Sequence, residues 1–275
     1  MIESYPPKSA LVRAVGLVRG LAFFGLLAGT ILFFGLWLIP AALLLKKGKF
    51  IQWMNVTYLK IAMPLFGVRV HVDGREHLSS RNTVMVCNHQ SWMDITAILT
   101  YVRFPAFLAK KEIESWPYFG ATMKLVHCVF VDRSDRRSRH VVAEQIKQKL
   151  ALGADFCIYP EGTRSPDGKL GDFSGGAFRI AVDAEALLTP VVIDESWWIL
   201  NKKGLSLYPG TVRFRILPPI DTSLPENRDA KELTKRVHGQ MLQALAQMRQ
   251  EPAASGFSRP ENSGLSRPEN SGLSR

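Results

Sequence analysis

Thr83-Val84-Met85-Val86-Cys87-Asn88-His89-Gln90-Ser91-Trp92-Met93-Asp94 is the stretch that decides the fold. Its first five residues form an apolar, β-branched run with the length of a buried strand. The apolar run that follows, residues 95–102, reads as a helix packed on that strand. His89 and Asp94 therefore fall where a strand hands over to a helix, a frequent place for catalytic groups in α/β folds. Imidazole serves as a general base near neutral pH, and a carboxylate holds its other nitrogen in one tautomer. An Asp near a helix start also suits the positive end of the helix dipole. On these residues alone, an exposed His beside an N-terminal helix Asp accounts for the pattern as well as catalysis does.

Farther along, residues 155–159 read as a second buried strand that runs into Pro160-Glu161-Gly162-Thr163-Arg164-Ser165. Gly162 admits a positive φ and a close approach of backbone N–H groups to an anion, and Arg164 offers a fork that matches phosphate oxygens. Glu161 would repel a phosphate, so it reads as orienting Arg164 or accepting a hydrogen bond from a substrate hydroxyl. Taken alone, Glu-Gly-Thr-Arg also fits an ordinary strand-ending turn.

Further strands are predicted at 68–72, 107–109, 126–131, 190–193 and 212–217. Helical patterns fall between several of them, at 93–102, 118–125, 138–152 and 175–184. This alternation predicts an α/β domain whose mixed, mainly parallel sheet is flanked by helices. Residues 229–249 form an amphipathic helix with Leu233, Val237, Met241, Leu245 and Met248 on its core face. Cys87, Cys128 and Cys157 sit in apolar runs without ligand-like spacing, which predicts buried reduced thiols rather than disulfides or zinc. Arg136, Arg137 and Arg139 read as a solvated basic face. Trp197 and Trp198 suit either core packing or a lipid interface.

The formal net charge is +11, and +6 of it lies in residues 1–60, where Lys8, Arg13, Arg19, Lys46, Lys47, Lys49 and Lys60 stand against Glu3. Residues 20–45 hold no charge, a length sufficient to cross a bilayer, which needs about 20 apolar residues. Basic residues around an apolar segment point to anionic lipid; the basic-aromatic pattern of nucleic-acid binding is absent from the sequence. Pro40 and the glycines at 20, 25, 29 and 35 fit two shorter helices in one leaflet as well as a single span. Three regions follow: a membrane-anchoring helical segment at 1–60, the α/β domain at 61–250, and a tail at 251–275. The tail repeats Ser-Arg-Pro-Glu-Asn-Ser-Gly-Leu at 258–265 and 266–273, a composition that predicts disorder.

Taken together and in this order, the motifs resemble the glycerolipid acyltransferase family, and most of all the 1-acylglycerol-3-phosphate O-acyltransferases. Asn88 to Asp94 matches that family's Asn-His-x-x-x-x-Asp box, and Tyr159 to Ser165 its Phe/Tyr-Pro-Glu-Gly-Thr-Arg-Ser box. Phe107-Leu108-Ala109-Lys110-Lys111-Glu112, Pro117-Tyr118-Phe119-Gly120, Phe130-Val131-Asp132-Arg133 and Thr189-Pro190-Val191-Val192 look like further family segments. The likeness spans residues 65–220. Two departures stand beside the expected acceptor site: His127 where the family usually has Gly, and Leu187 where it usually has an earlier Pro. Both bear on which lysolipid is used.

The resemblance implies transfer of a fatty acyl group from acyl-CoA or acyl carrier protein to the free hydroxyl of 1-acylglycerol-3-phosphate. The product would be phosphatidic acid for phospholipid synthesis, with no metal and no cofactor besides the donor. His89 would be the general base and Asp94 its orienting partner. Lys110, Arg133, Glu161, Gly162, Thr163 and Arg164 would bind substrate. The implied partners are membrane lipid, a lysophospholipid and the acyl donor, with the catalytic domain on the cytoplasmic face of a membrane, the inner one if bacterial. An alternative keeps the chemistry with a phosphate-free acceptor such as lyso-ornithine lipid. A lipase using Ser91 would lack the Gly-x-Ser-x-Gly elbow. A non-catalytic lipid-binding protein is the remaining contrast.

Overall fold

Alternation along β2 (Thr83–Cys87) sets the layers of the domain. Val84 and Val86 belong to one hydrophobic cluster and Met85 and Cys87 to another, all with no exposed surface. A strand buried on both faces belongs at the centre of a sheet covered by helices. β2 accordingly lies between β5 (Phe156–Ile158) and β6 (Leu187–Asp194) and runs parallel to both. The computed structural model describes residues 10–44, 48–78, 82–116, 120, 123–124, 127–132, 136–202 and 204–251.

The remaining strands are β1 (Val68–Asp73), β3 (Ala106–Lys110), β4 (Val129–Val131), β7 (Gly210–Ile216) and β8 (Ile220–Asp221). The sheet order is β1-β7-β6-β2-β5-β3-β4, with β8 also beside β6. Both β7 and β8 run antiparallel to β6, and the other pairings are parallel. The sheet is thus mixed and mainly parallel. Pro190 sits within central β6, where a missing N–H would normally cost a ladder bond. Its carbonyl accepts from Leu217 N, so its nitrogen faces the same side, into the gap between the β8 and β7 pairings.

On the Val84 face lie α4 (Arg136–Ala151), α5 (Gly176–Asp183) and α7 (Ala230–Gln250), packed through Ile146, Phe178, Val237 and Met241. The predicted apolar stripe of the last helix is buried. The Met85 face is covered by α3 (Trp92–Ala97), which a π turn prolongs over Ile98–Val102, and by α6 (Ser196–Ile199). Trp197 and Trp198 are core residues of this face, not interfacial ones. Cys87, Cys128 and Cys157 are free and buried, and desolvation pushes the Cys87 and Cys128 thiols up in pKa, away from the reactive thiolate.

The N-terminal pair, α1 (Ala10–Leu44) and α2 (Gly48–Leu65), completes the Met85 face through Phe23 and Met63. Where the sequence left one span or two short helices open, α1 is a single helix of 35 residues that passes through Pro40. Its stretch Ala10–Thr30 is long and apolar enough to cross a membrane. One side of that stretch is nevertheless part of the domain. Gly16 O accepts from Leu207 N at 2.9 Å, and a Cβ on Gly20 would lie 1.6 Å from Leu205 O. Leu11, Val15, Val18 and Leu21 are exposed. The 1–60 segment and the domain therefore share a core.

The strand predicted at 126–131 begins only at Val129, because His127 occupies an exposed turn with φ 66°. Most of the helix predicted at 118–125, and the tail from 252 onward, lie outside the described residues.

Candidate active site

The carboxyl end of β2 delivers Asn88 and His89 to the rim of the sheet, beside the ends of β5 and β6. Asn88 continues the ladder with its side chain: its Nδ2 donates to Ile193 O at 2.8 Å, and Ile193 N donates to its Oδ1 at 2.7 Å. The next residue is thereby fixed in height against β6. Ser91 then starts α3 as its N-cap, accepting from Met93 N at 3.2 Å, while Asp94 closes the capping box on Ser91 N at 2.9 Å. Ser91 Oγ also donates to Leu200 O, and the residue is wholly buried. It is a cap, and the lipase alternative has no nucleophile here.

The carboxylate that caps the helix also holds the histidine. His89 Nδ1 lies 2.8 Å from Asp94 Oδ2, which accepts Gln90 N at 2.6 Å as well. Asp94 is fully buried, and the His89 side chain retains 14% exposure. An oxygen that gathers backbone N–H groups acts as an acceptor, so Nδ1 carries the hydrogen and Nε2 the lone pair. The Tyr159 ring stacks on the imidazole, with centroids 4.0 Å apart and planes inclined by 20°. Burial raises the Tyr159 pKa well above the ordinary phenol value and keeps the hydroxyl neutral.

Glu161 has a different role from the one its sequence context suggested. Its Oε1 accepts His89 N at 2.8 Å and its Oε2 accepts Gly171 N at 2.9 Å, so it braces the base rather than Arg164. Ser165 N donates to His89 O at 2.7 Å, and the Pro160–Ser165 loop thus grips both peptide groups of His89. Desolvation raises the Glu161 pKa against the lowering effect of its two amide donors. Gly162 takes a positive φ, 70°, and its N–H closes a turn on Tyr159 O at 3.1 Å.

Arg164 lies on the same loop, and Lys202 reaches that loop from beyond α6. Arg164 packs over the Trp92 ring at 4.9 Å, and desolvation lowers its pKa while Asp94 opposes that shift. Lys202 donates to Thr163 Oγ1 at 2.8 Å and to Arg164 O at 2.9 Å. Lys110 ends β3, its backbone paired with Val131; Arg133 lies outside the described residues. His89, Asp94, Glu161, Gly162, Thr163 and Arg164 are therefore brought together. Sequence reasoning missed Ser196, which donates to Asp94 Oδ1, and Lys202, because neither stands in a motif. The stacking of Tyr159 was within reach, since the register Val86↔Ile158 puts it beside the residues before His89.

Both departures from the family pattern have a definite place in the fold. His127 occupies a left-handed backbone conformation, where Gly is the unstrained residue, so this exchange concerns the turn. Leu187 is paired with Thr83 at the opposite end of the strands, about 13 Å back from the Cys87 level at ~3.3 Å per residue.

Residues 69–194 match the family model described as Acyltransferase. The 1-acyl-sn-glycerol-3-phosphate acyltransferase of Saccharomyces cerevisiae is 29% identical over 260 residues, covering 90% of this chain and 80% of that protein. The enzyme of the same name from Pseudomonas aeruginosa is 29% identical, covering 66% of this chain and 71% of its own. The crystal structure of the 1-acyl-sn-glycerophosphate (LPA) acyltransferase from Thermotoga maritima superposes with a TM-score of 0.75 at 28% identity, covering 88% of this chain and 99% of that one. The matched segment runs from β1 to the end of β6 and so contains both loops that meet at His89. By sequence, by fold and by the pairing of these two loops, the chain is similar to the acyltransferases.

Proposed function

We propose that the protein moves a fatty acyl group from a thioester, acyl-CoA or acyl carrier protein, to the free hydroxyl of 1-acylglycerol-3-phosphate, giving phosphatidic acid. The observation that carries this reading is the His89–Asp94 pair, whose bond through Nδ1 leaves Nε2 to act as base. Nε2 takes the proton as the acceptor oxygen attacks the thioester carbonyl. The C–S bond then breaks, and the departing thiolate takes the proton back from the imidazolium. Asp94 stabilises that transient imidazolium, and Glu161 and Ser165 hold the peptide that carries it. The acceptor is itself the nucleophile, so the chemistry needs no acyl-enzyme.

Arg164, with Lys202 beside it, offers the charge for the acceptor phosphate, and Lys110 and Arg133 are assigned to the same side by their motifs. The exposed apolar side of α1 supports attachment to a membrane, where a two-chained product is released into lipid. Free buried thiols suit a cytoplasmic catalytic face. With His127 accounted for by its backbone, no observation favours the phosphate-free acceptor.

The test is acyl transfer by the purified protein to a panel of lysolipids, with acyl-CoA and acyl carrier protein supplied in turn. Preference for 1-acylglycerol-3-phosphate is expected. Preference for lyso-ornithine lipid overturns the acceptor assignment, and absence of product from every acceptor overturns the activity.

A further inference from the structure

Asp94 holds one more donor than the orientation of His89 and the capping of α3 require. Its Oδ2 takes His89 Nδ1 and the amides of Gln90 and Ser91, whereas its Oδ1 takes the Ser196 hydroxyl at 2.5 Å. Ser196 is wholly buried and stands two residues beyond β6, outside the segment matched by the family model. It reaches the carboxylate because Glu195 turns the chain through φ 74°, a conformation that side chains other than glycine rarely adopt. The strand end before that turn is fixed in its own right, since Asp194 accepts from Arg249 Nη2 at 3.1 Å. Gln90 Oε1 is also near the hydroxyl, but at 3.3 Å, and the Gln90 amide is oriented by donation to Gly168 O and Ile193 O. The shorter contact to Asp94 takes the hydroxyl hydrogen.

We propose that Ser196 is a positioning residue for acyl transfer, its hydroxyl fixing Asp94 and setting how strongly that carboxylate supports the His89 imidazolium. The inference rests on His89 as the general base. A hydroxyl that donates to a carboxylate disperses its negative charge. Without it, Asp94 would attract a proton on His89 more strongly, and the imidazole would be lost as a base at a higher pH. The carboxylate would also lose one of the restraints that aim the ring. Glu161, Tyr159, Cys87 and Arg164 are among the titratable groups that Asp94 influences, and a change at Ser196 leaves these in place.

The experiment is steady-state kinetics of full-length Ser196→Ala across pH, with a melting temperature as the check of folding. The turnover number is expected to fall about ten- to hundredfold, the worth of a hydrogen bond to a charged group. KM for both substrates should change far less, and the acidic limb of the kcat profile should move to higher pH. Wild-type turnover, or reduced turnover with the limb unmoved, overturns the proposal. Ser196→Cys has nearly the same shape but is a weak donor, so it serves if the alanine variant fails to fold. It should show a smaller shift in the same direction, and wild-type behaviour there is equally fatal. His89→Ala assayed alongside separates the two levels. Turnover retained in His89→Ala defeats the base assignment, whereas an inactive His89→Ala beside wild-type Ser196 variants defeats the role of Ser196 alone.

Discussion

His89 and Arg164 lie on two loops that touch, yet they are held in different ways. The histidine is gripped at its ring by Asp94 and Tyr159, at its N–H by Glu161 and at its carbonyl by Ser165. Arg164 rests on the face of Trp92, which is itself 53% exposed, and its neighbour Thr163 is reached by a lysine from the surface. The difference follows from what each side does. A proton is transferred only between atoms in hydrogen-bond contact, so a base must be held within a fraction of an ångström. A phosphate is attracted over a longer range, and cations that meet it can adjust on arrival. Changes on the first side should therefore lower turnover, and changes on the second should weaken acceptor binding.

The largest effect is expected at Asp94. Asp94→Asn replaces an acceptor of four donors by an amide that accepts at one atom only, and turnover should fall by ~10²–10⁴-fold. Steady-state rates with both substrates saturating check this, and a variant within a few-fold of wild type would erase the distinction between the two sides.

Glu161→Gln comes next. The amide would turn its NH2 toward either His89 N or Gly171 N, and turnover should drop about tenfold or more. Its effect on stability has the opposite tendency. Because burial raises the Glu161 pKa, its contribution to stability is present below the free-Glu value of about 4.3 and is lost as pH rises through the folded value. At neutral pH the ionised carboxylate is held at a cost, so Glu161→Gln should reduce kcat far more than the melting temperature. Parallel losses in both would show that Glu161 is mainly structural.

On the cationic side, Arg164→Ala should raise KM for 1-acylglycerol-3-phosphate roughly ten- to hundredfold, with smaller changes in kcat and in donor KM. Arg164→Lys should recover only part of this, since a point charge lacks the planar fork. An unchanged acceptor KM would remove the anion from this side. The smallest effects on catalysis are expected at α1, whose two faces can be tested separately. Gly20→Ala meets the Leu205 carbonyl and should cost ~1–3 kcal/mol of stability, whereas Gly25→Ala has open space and should be tolerated. Charging exposed Leu11 and Val18 should leave the fold intact and weaken retention on vesicles. Equal stability of the two glycine variants would show that α1 is not docked through Gly20.

The same contrast separates what was legible in the sequence from what was not. Buried strands such as 83–87 and 156–158 declare themselves because both faces need apolar side chains, and His89 and Asp94 were legible because they fall between a strand end and the first turn of a helix. The sequence pointed Glu161 at Arg164 or a substrate hydroxyl, and gave no sign of the backbone amides that tertiary folding brings to it. Ser196 and Lys202 gave no sign, since a residue that reaches the site around a left-handed turn at Glu195, or across 39 positions to Thr163, leaves no periodic pattern. The docking of α1 on the domain was hidden for a related reason. Apolarity marks residues 20–45 as lipid-like, but close approach of backbone at Gly16 and Gly20 depends on a distant loop, residues 205–208.

The central claim is that His89 is the base for acyl transfer, and purified His89→Ala tests it most directly. Acyl transfer to 1-acylglycerol-3-phosphate should fall ~10²–10⁴-fold, with the melting temperature and acceptor binding close to those of the wild-type protein. Near-normal turnover in folded His89→Ala would contradict the account.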